Sequence, residues 1–288
     1  MQSYVIWLDS MNKNDAITVC SDDADLEFFV SNSAFYTMSN YALYDAEDLY
    51  SNIGTLDSKS ITSSSTKIPR NLKSFSGCFT IYKASESSLE TEATVLFQKN
   101  SNNCNEKDTI FQPSIYGDNF ELSSTSSGSC EMIFLIGSQN LPGIWLIINE
   151  TTPNTKYTFT NLETNKKLFD LDSSEVWQNL GVYTTALSIT IPPSSKLSLL
   201  VSSSYTRSIY FQNNQQKGIM TSPCYSHSSI SNTLLYSLKQ YSSNNFTANF
   251  FVKELYGSPT IELKVDFSPK QTYAILVKIM LKYITIII

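Results

Sequence analysis

The sequence predicts an all-β protein of antiparallel sandwiches, and three observations predict it. Apolar residues alternate with polar ones in Leu187, Ile189 and Ile191, in Leu197, Leu199 and Val201, and in Ile261, Leu263, Val265 and Phe267. That period of two belongs to strands with one face in a core and one in water. Charged residues are only 16% of the chain, against about 25% in an average soluble protein; Ser, Thr and Asn fill the gap, as in residues 58–66 and 123–129. Strand formers are plentiful, with 17 Tyr and 16 Phe, whereas long helices would need far more Ala, Glu, Lys and Leu on their outer faces.

A chain of 288 residues can bury a real core, as one large or two ordinary domains. Its segments repeat. Trp7 followed by Asn14-Asp-Ala-Ile-Thr-Val19 resembles Trp145 followed by Asn154-Thr-Lys-Tyr-Thr-Phe159. Tyr44-Asp45 then matches Phe169-Asp170, Ile68-Pro69 matches Ile191-Pro192, and Ile115-Tyr-Gly117 matches Leu255-Tyr-Gly257. The strand at 131–136 continues that register onto 272–277. The spacing is about 140 residues and falls to about 125 through the middle, so the repeat carries an insertion near residues 25–40. Pro192-Pro193-Ser194-Ser195 reads as a turn between two strands. The one helix-like stretch, 172–180, reads equally well as a polar loop. The apolar tail 273–288 is interrupted by Lys278 and Lys282 and falls short of the ~20 residues of a membrane-spanning helix, so it reads as a last strand with unpaired sequence after it.

Composition also narrows the partners. The net charge of −6 is spread without a basic block, so nothing here could neutralise a row of phosphates, and a nucleic-acid partner is not expected. Five cysteines, Cys20, Cys78, Cys104, Cys130 and Cys224, form no C-x-x-C pair, and the single His227 cannot complete a zinc site with them. An even subset reads as disulfides with one cysteine left over. Asn149-Glu-Thr151 and Asn245-Phe-Thr247 are glycosylation acceptor triplets. Disulfides and glycans imply an extracellular setting. The N-terminal Met1-Gln-Ser-Tyr-Val-Ile-Trp-Leu-Asp9 has no charged segment, apolar stretch or cleavage site of a signal peptide, so the chain is expected to be a piece of a longer product. There is no phosphate-binding loop, dinucleotide fingerprint, H-E-x-x-H pair or G-x-S-x-G elbow. With one histidine in the chain, Ser-His or Cys-His catalysis is not expected. Trp177 lies in a polar stretch and is expected to be exposed, as an anchor for a protein or sugar. Trp7 and Trp145 share one repeat position inside apolar strands and are expected in the core.

From about Glu90 to Gln212 the pattern resembles a known module. Cys104 and Cys130 are followed by the strand Cys130-Glu-Met-Ile-Phe134, then Gly143-Ile-Trp-Leu-Ile-Ile148, a turn at Asp170, Ser194-Ser-Lys-Leu-Ser-Leu-Leu200 and Ser208-Ile-Tyr-Phe211. These segments resemble a CUB domain, and more closely the divergent CUB-like domains of nematode secreted proteins. Lys217-Gly-Ile-Met-Thr-Ser-Pro-Cys-Tyr225 is similar to the opening of a further module. The resemblance implies the latter part of one module in 1–88, a complete module in 89–213, and the first part of another, with the apolar tail, in 214–288. It implies a jelly-roll-like sandwich, a Cys104–Cys130 bridge and a Cys20–Cys78 bridge, with the partner of Cys224 in the missing part of its module.

Many CUB domains hold calcium on loop carboxylates, which here would be Asp170, Asp172 and Glu175, with Asp45, Glu47 and Asp48 in the first unit. The Asp-Gly loop of that pattern is absent, so a solvated acidic turn is expected instead. The expected function is a secreted or cell-surface binding protein for an extracellular protein or glycan, not an enzyme, with a role in responses to infection and stress. The alternatives are a structural spacer or adhesin stalk, whose loops would be bland throughout, and a glycan-active hydrolase, which would need two carboxylates in a cleft with separated pKa values.

Overall fold

Alternating apolar sequence makes the chain pair laterally, and its regular elements are β-strands. The structure is a computed structural model and describes residues 3–8, 11–21, 26–31, 40–47, 55–56, 67–85, 94–99, 103–136, 143–175, 177–203 and, beyond these, only the strands named below.

The first eight strands are β1 (Ser3–Trp7), β2 (Ala16–Cys20), β3 (Leu26–Val30), β4 (Tyr41–Tyr44), β5 (Thr55–Leu56), β6 (Arg70–Lys73), β7 (Cys78–Lys83) and β8 (Thr94–Lys99). They form two four-stranded antiparallel sheets, in the orders β1-β8-β3-β6 and β2-β7-β4-β5. Between the sheets lie Leu8, Val30, Leu43, Ile81 and Val95 with three phenylalanines, Phe28, Phe79 and Phe97, whose ring centroids are 5.3 to 6.1 Å apart. Cys20 and Cys78 face each other across β2 and β7 and are joined by a disulfide. Because β8 lies between β1 and β3, the first sandwich runs on to Lys99, past the boundary expected at residue 88.

The next eleven strands are β9 (Ile110–Phe111), β10 (Asp118–Ser123), β11 (Cys130–Leu135), β12 (Ile144–Thr151), β13 (Lys156–Asn161), β14 (Lys166–Asp172), β15 (Trp177–Val182), β16 (Ala186–Ile191), β17 (Lys196–Ser202), β18 (Ser208–Phe211) and β19 (Lys217–Met220). Ten of them make a second sandwich of two five-stranded sheets, β10-β17-β12-β15-β19 and β14-β13-β16-β11-β9. Only β9 with β11 and β15 with β19 pair in parallel. The alternation in β17 is carried out fully: Leu197, Leu199 and Val201 are buried and their neighbours are half-exposed. The turn expected at Pro192–Ser195 joins β16 to β17, with Ser194 at φ 56°. The described residues of the stretch 172–180 form a tight turn and the start of β15, and no helix. Asn14 and Asn154, matched in sequence, both take left-handed backbone, at φ 71° and 56°, ahead of β2 and β13. Asn tolerates that conformation better than most residues. Ile68 and Ile191, also matched in sequence, are not equivalent: Ile191 ends β16, whereas Ile68 lies in a bend before β6. The Cys104–Cys130 disulfide ties Cys104, bridged to Ser124 just past β10, to the head of β11, and so links the two sheets.

The two sandwiches also pack on each other. Phe29 and Leu96 from the outer face of the first meet Ile110, Ile133, Leu135, Leu162 and Ala186 of the second. Strands β3 and β8 of one sheet and β11 and β16 of the other are thereby covered on both faces, which is why β3 is buried at all five positions. Polar groups, among them Glu27, Gln98, Glu131 and Ser188, share these strand faces. Glu27 pairs with Lys73 at 2.8 Å. Glu131, on the same face of β11 as Ile133 and Leu135, accepts a hydrogen bond from Ser188, and its burial pushes the carboxyl above the ordinary range.

Strand β18 pairs with β20 (Ser237–Gln240). A separate unit holds β21 (Thr247–Phe251), β22 (Ile261–Phe267), β23 (Gln271–Val277) and β24 (Tyr283–Ile287), in the antiparallel pairs β21 with β24 and β22 with β23. The apolar tail thus enters β23 and β24. Among the described residues no helix is long and apolar enough to cross a membrane.

Leu96→Ala tests the packed layer. A residue on a free outer face would change stability by less than about 0.5 kcal/mol. Buried between two sheets, Leu96 should cost about 2–5 kcal/mol, read as a lower midpoint in urea at unchanged slope.

Candidate functional site

The exposed large hydrophobic side chains among the described residues are Tyr116 (92%), Phe75 (86%) and Ile115 (52%). Water contact at an aromatic ring is unfavourable, so the frame that keeps each ring outside identifies a candidate docking point.

Tyr116 caps the turn between β9 and β10, and the turn is held from several sides. Asp118 accepts a hydrogen bond from the Ser114 N–H at 2.8 Å and pairs with Lys67 at 2.9 Å. Burial works to raise its carboxyl, but Lys67 and Ser114 hold it below the ordinary range. The Ser202 hydroxyl donates to the Ile115 carbonyl at 2.9 Å, and the Ser203 N–H to that of Ser114 at 3.0 Å. Gly117 has φ 93°, a backbone conformation that favours glycine, and a Cβ there would crowd the Leu200 side chain at 3.3 Å.

Beside the turn lies an open cleft of about 280 Å³, lined by Lys67, Ile68, Phe111, Asn119, Phe120 and Glu121. It marks the side of the second sandwich where β9 and β10, the edges of opposite sheets, leave the core uncovered. Phe111 and Phe120 are 4.9 Å apart and form its floor, with Phe134 behind them. Lys67 stands 6.0 Å above the Phe120 ring, and its carbonyl accepts from the Gln112 N–H. Asn149 flanks this region. It sits on β12 at the bulge between Ile148 and Glu150, is exposed, and donates to the Asn119 side chain at 3.2 Å.

Phe75 is displayed by a different device. Asp45, 1% exposed, accepts hydrogen bonds from the Ser74 and Ser76 hydroxyls at 2.7 and 2.8 Å and from the Phe75 and Ser76 N–H groups at 2.7 and 3.1 Å. Burial opposes the charge, but these four donors outweigh it and keep the carboxyl below its ordinary value of 3.8.

The residues expected from sequence are placed as follows. Both disulfides join the expected cysteines. Trp177 is not exposed: it packs half-buried on the core of the second sandwich, and its indole N–H donates to the Asp172 carbonyl at 3.1 Å. Trp145 is half-exposed on β12, not in the core. Asp170 is engaged by Lys167 at 2.6 Å, Lys156 at 3.4 Å and the Thr158 hydroxyl, and the Lys167 contact leads in lowering its carboxyl. Asp172 accepts from the Ser174 N–H and hydroxyl, closing a turn. Asp170, Asp172 and Glu175 do not converge, and among the described residues no three metal-binding side chains do. Glu47 is exposed at the surface. Asp48, Asn245, Cys224 and His227 lie outside the described residues, as does the side chain of Trp7. The sequence alone does not single out Tyr116 or Phe75 as exposed. The signal for the first was the Tyr-Gly pair in Ile115-Tyr-Gly117.

No protein-family model matches the chain, and no curated protein matches it. Among solved structures it is similar to the CUB1-EGF-CUB2 domain of human MASP-1/3, at 9% identity and a TM-score of 0.24, over 70% of this chain and 100% of that one. It is also similar to the CUB1-EGF-CUB2 domains of rat MASP-1, at 8% identity and a TM-score of 0.25, over 70% of this chain and 98% of that one. Scores this low transfer neither a site nor an activity.

Asp45→Asn should cost about 1.5–3 kcal/mol at neutral pH, since an amide cannot accept four donors as a carboxylate does. A depressed native pKa contributes stability that is complete above the ordinary value and lost as pH falls through the native one. The difference in melting temperature between parent and variant should therefore shrink in strong acid.

Proposed function

We propose that the chain is part of a secreted or cell-surface interaction protein built of CUB-like β-sandwich modules, docking an extracellular protein or glycan through the Ile115–Tyr116 turn. The observation that carries this reading is a tyrosine 92% exposed on a turn fixed by Asp118, Ser202, Ser203 and a positive-φ glycine. A ring displayed on a rigid frame loses little conformational freedom when a partner covers it. The disulfides and the exposed Asn149 acceptor support an extracellular setting. On the CUB-like reading, the organismal role is in responses to infection and stress. A pure spacer has no use for a held aromatic turn, so the structural alternative is the weaker one.

The test uses the full chain secreted from a eukaryotic host behind an added signal peptide, applied to glycan arrays and intact cells. Peptide mapping should find both disulfides, and glycan on Asn149. Tyr116→Ala should keep stability within about 0.5 kcal/mol and lose roughly tenfold or more in binding. Equal binding by parent and variant rules out the turn, and free thiols with a bare Asn149 rule out the extracellular setting.

A further inference from the structure

The edge of β10 carries a second feature, and its argument needs no role for Tyr116. Along an antiparallel strand, alternate residues direct their backbone N–H and C=O groups to opposite neighbours. Ser123 shows the phase: its carbonyl accepts from the Asn105 N–H at 2.9 Å, and its own N–H donates to the Glu106 carboxylate at 2.8 Å, both away from β17. Lys196, opposite Ser123, turns its N–H and carbonyl toward Thr152 next to β12, in the same phase. Asn119 and Glu121, two and four residues before Ser123, therefore also point their backbone groups outward, while Phe120 and Leu122 bond to β17.

The ends of this edge are already occupied. Residues 103–105 run antiparallel along it, through the Cys104–Ser124 bridge and the Thr125 N–H to Asn103 carbonyl bond at 2.7 Å. At the other end the Ser114 N–H and Lys67 close on Asp118. Between these ends, the outward N–H and C=O groups of Asn119 and Glu121 have no partner among the described residues. They stand about 6.8 Å apart, the repeat of an extended chain, and open beside the Phe111–Phe120 cleft.

We propose that this edge is a strand-addition site: an extended peptide pairs with the backbone of Asn119 and Glu121 and sets one apolar side chain into the cleft over Phe111 and Phe120. Main-chain hydrogen bonds supply affinity in such sites, and the pocket for an alternate side chain supplies selectivity. The occupant is an extended strand because two donor–acceptor pairs at a two-residue repeat match another β backbone, and because residues 103–105 already continue the same edge in that way. A small rigid ligand or a helix offers no such repeat.

The test pans a display library of random seven-residue peptides against the full chain, with the Glu121→Pro chain as counter-bait. Proline removes an outward N–H and obstructs the edge while leaving the β17 bonds of Phe120 and Leu122 in place. The expected result is enriched peptides with alternating apolar residues, binding at least tenfold weaker to Glu121→Pro and unchanged with Tyr116→Ala. Hydrogen exchange at the amides of Asn119 and Glu121 should slow when a selected peptide is added. N-methylation of alternate peptide amides should weaken binding in the same way, and it makes the test independent of whether Glu121→Pro folds. No enrichment, or selected peptides insensitive to both N-methylation and Glu121→Pro, overturns the proposal. So does self-association that consumes the edge, seen as concentration-dependent sedimentation abolished by Glu121→Pro. Loss of peptide binding with Tyr116→Ala alone would instead move the site to the turn.

Discussion

The packing of one sandwich on the other, through Phe29 and Leu96 against Ile110, Ile133, Leu135 and Ala186, is the constraint that the rest of the described structure depends on. It turns the centres of two sheets that could each have had a wet face into interior layers, and β3 accordingly shows no alternation of buried and exposed positions. It also fixes where the connection before β6 can run. Lys67 and Ile68 belong to the first sandwich by sequence, yet they lie against the open side of the second, where Lys67 reaches Asp118 and Gln112. The cleft, the anchored turn and the exposed length of β10 are therefore joint products of both sandwiches.

That dependence separates two kinds of polar group. Glu131 is carried into the packed layer with Ser188 as its partner, and burial raises its carboxyl. Asp45 has almost no exposed surface either, but four donors from a three-residue loop hold it charged, below the ordinary range. A carboxylate in the first position is a cost the layer tolerates, whereas in the second it organises a loop. For Glu131 the cost of burial outweighs its bond from Ser188, whereas for Asp45 four directed hydrogen bonds outweigh the cost of burial.

Much of this was legible in the sequence. Strict alternation located β16, β17 and β22 closely, and Pro192–Ser195 was read as the turn it is. Periodicity reports only whether a face is wet, so β3, buried at every position, gave no alternating signal. The boundary at residue 88 missed β8 because a strand's membership is decided by its partners, β1 and β3, which lie far off in sequence. The polar neighbours of Trp177 point to exposure, whereas its ring packs half-buried on the core and its N–H donates to the Asp172 carbonyl. The acidic triplet at 170–175 was read as a solvated turn, but nothing in its composition revealed that Lys156 and Lys167 would flank Asp170. The Tyr-Gly pair marks a turn at Tyr116, but the bonds that fix that turn come from Ser202 and Ser203, nearly ninety residues later.

The position of Asn149 on β12 has a consequence for the order of events during synthesis. Strand β12 lies between β15 and β17, both of which follow it in the chain, and β17 begins some fifty residues later. At ribosomal rates of about 5–20 residues per second, β12 stays without its final neighbours for a few seconds after it emerges. An oligosaccharide-transferring enzyme that needs a pliable acceptor would have that interval to act, and afterwards the strand is held on both sides. Modification at this asparagine would thus record how quickly the second sandwich closes.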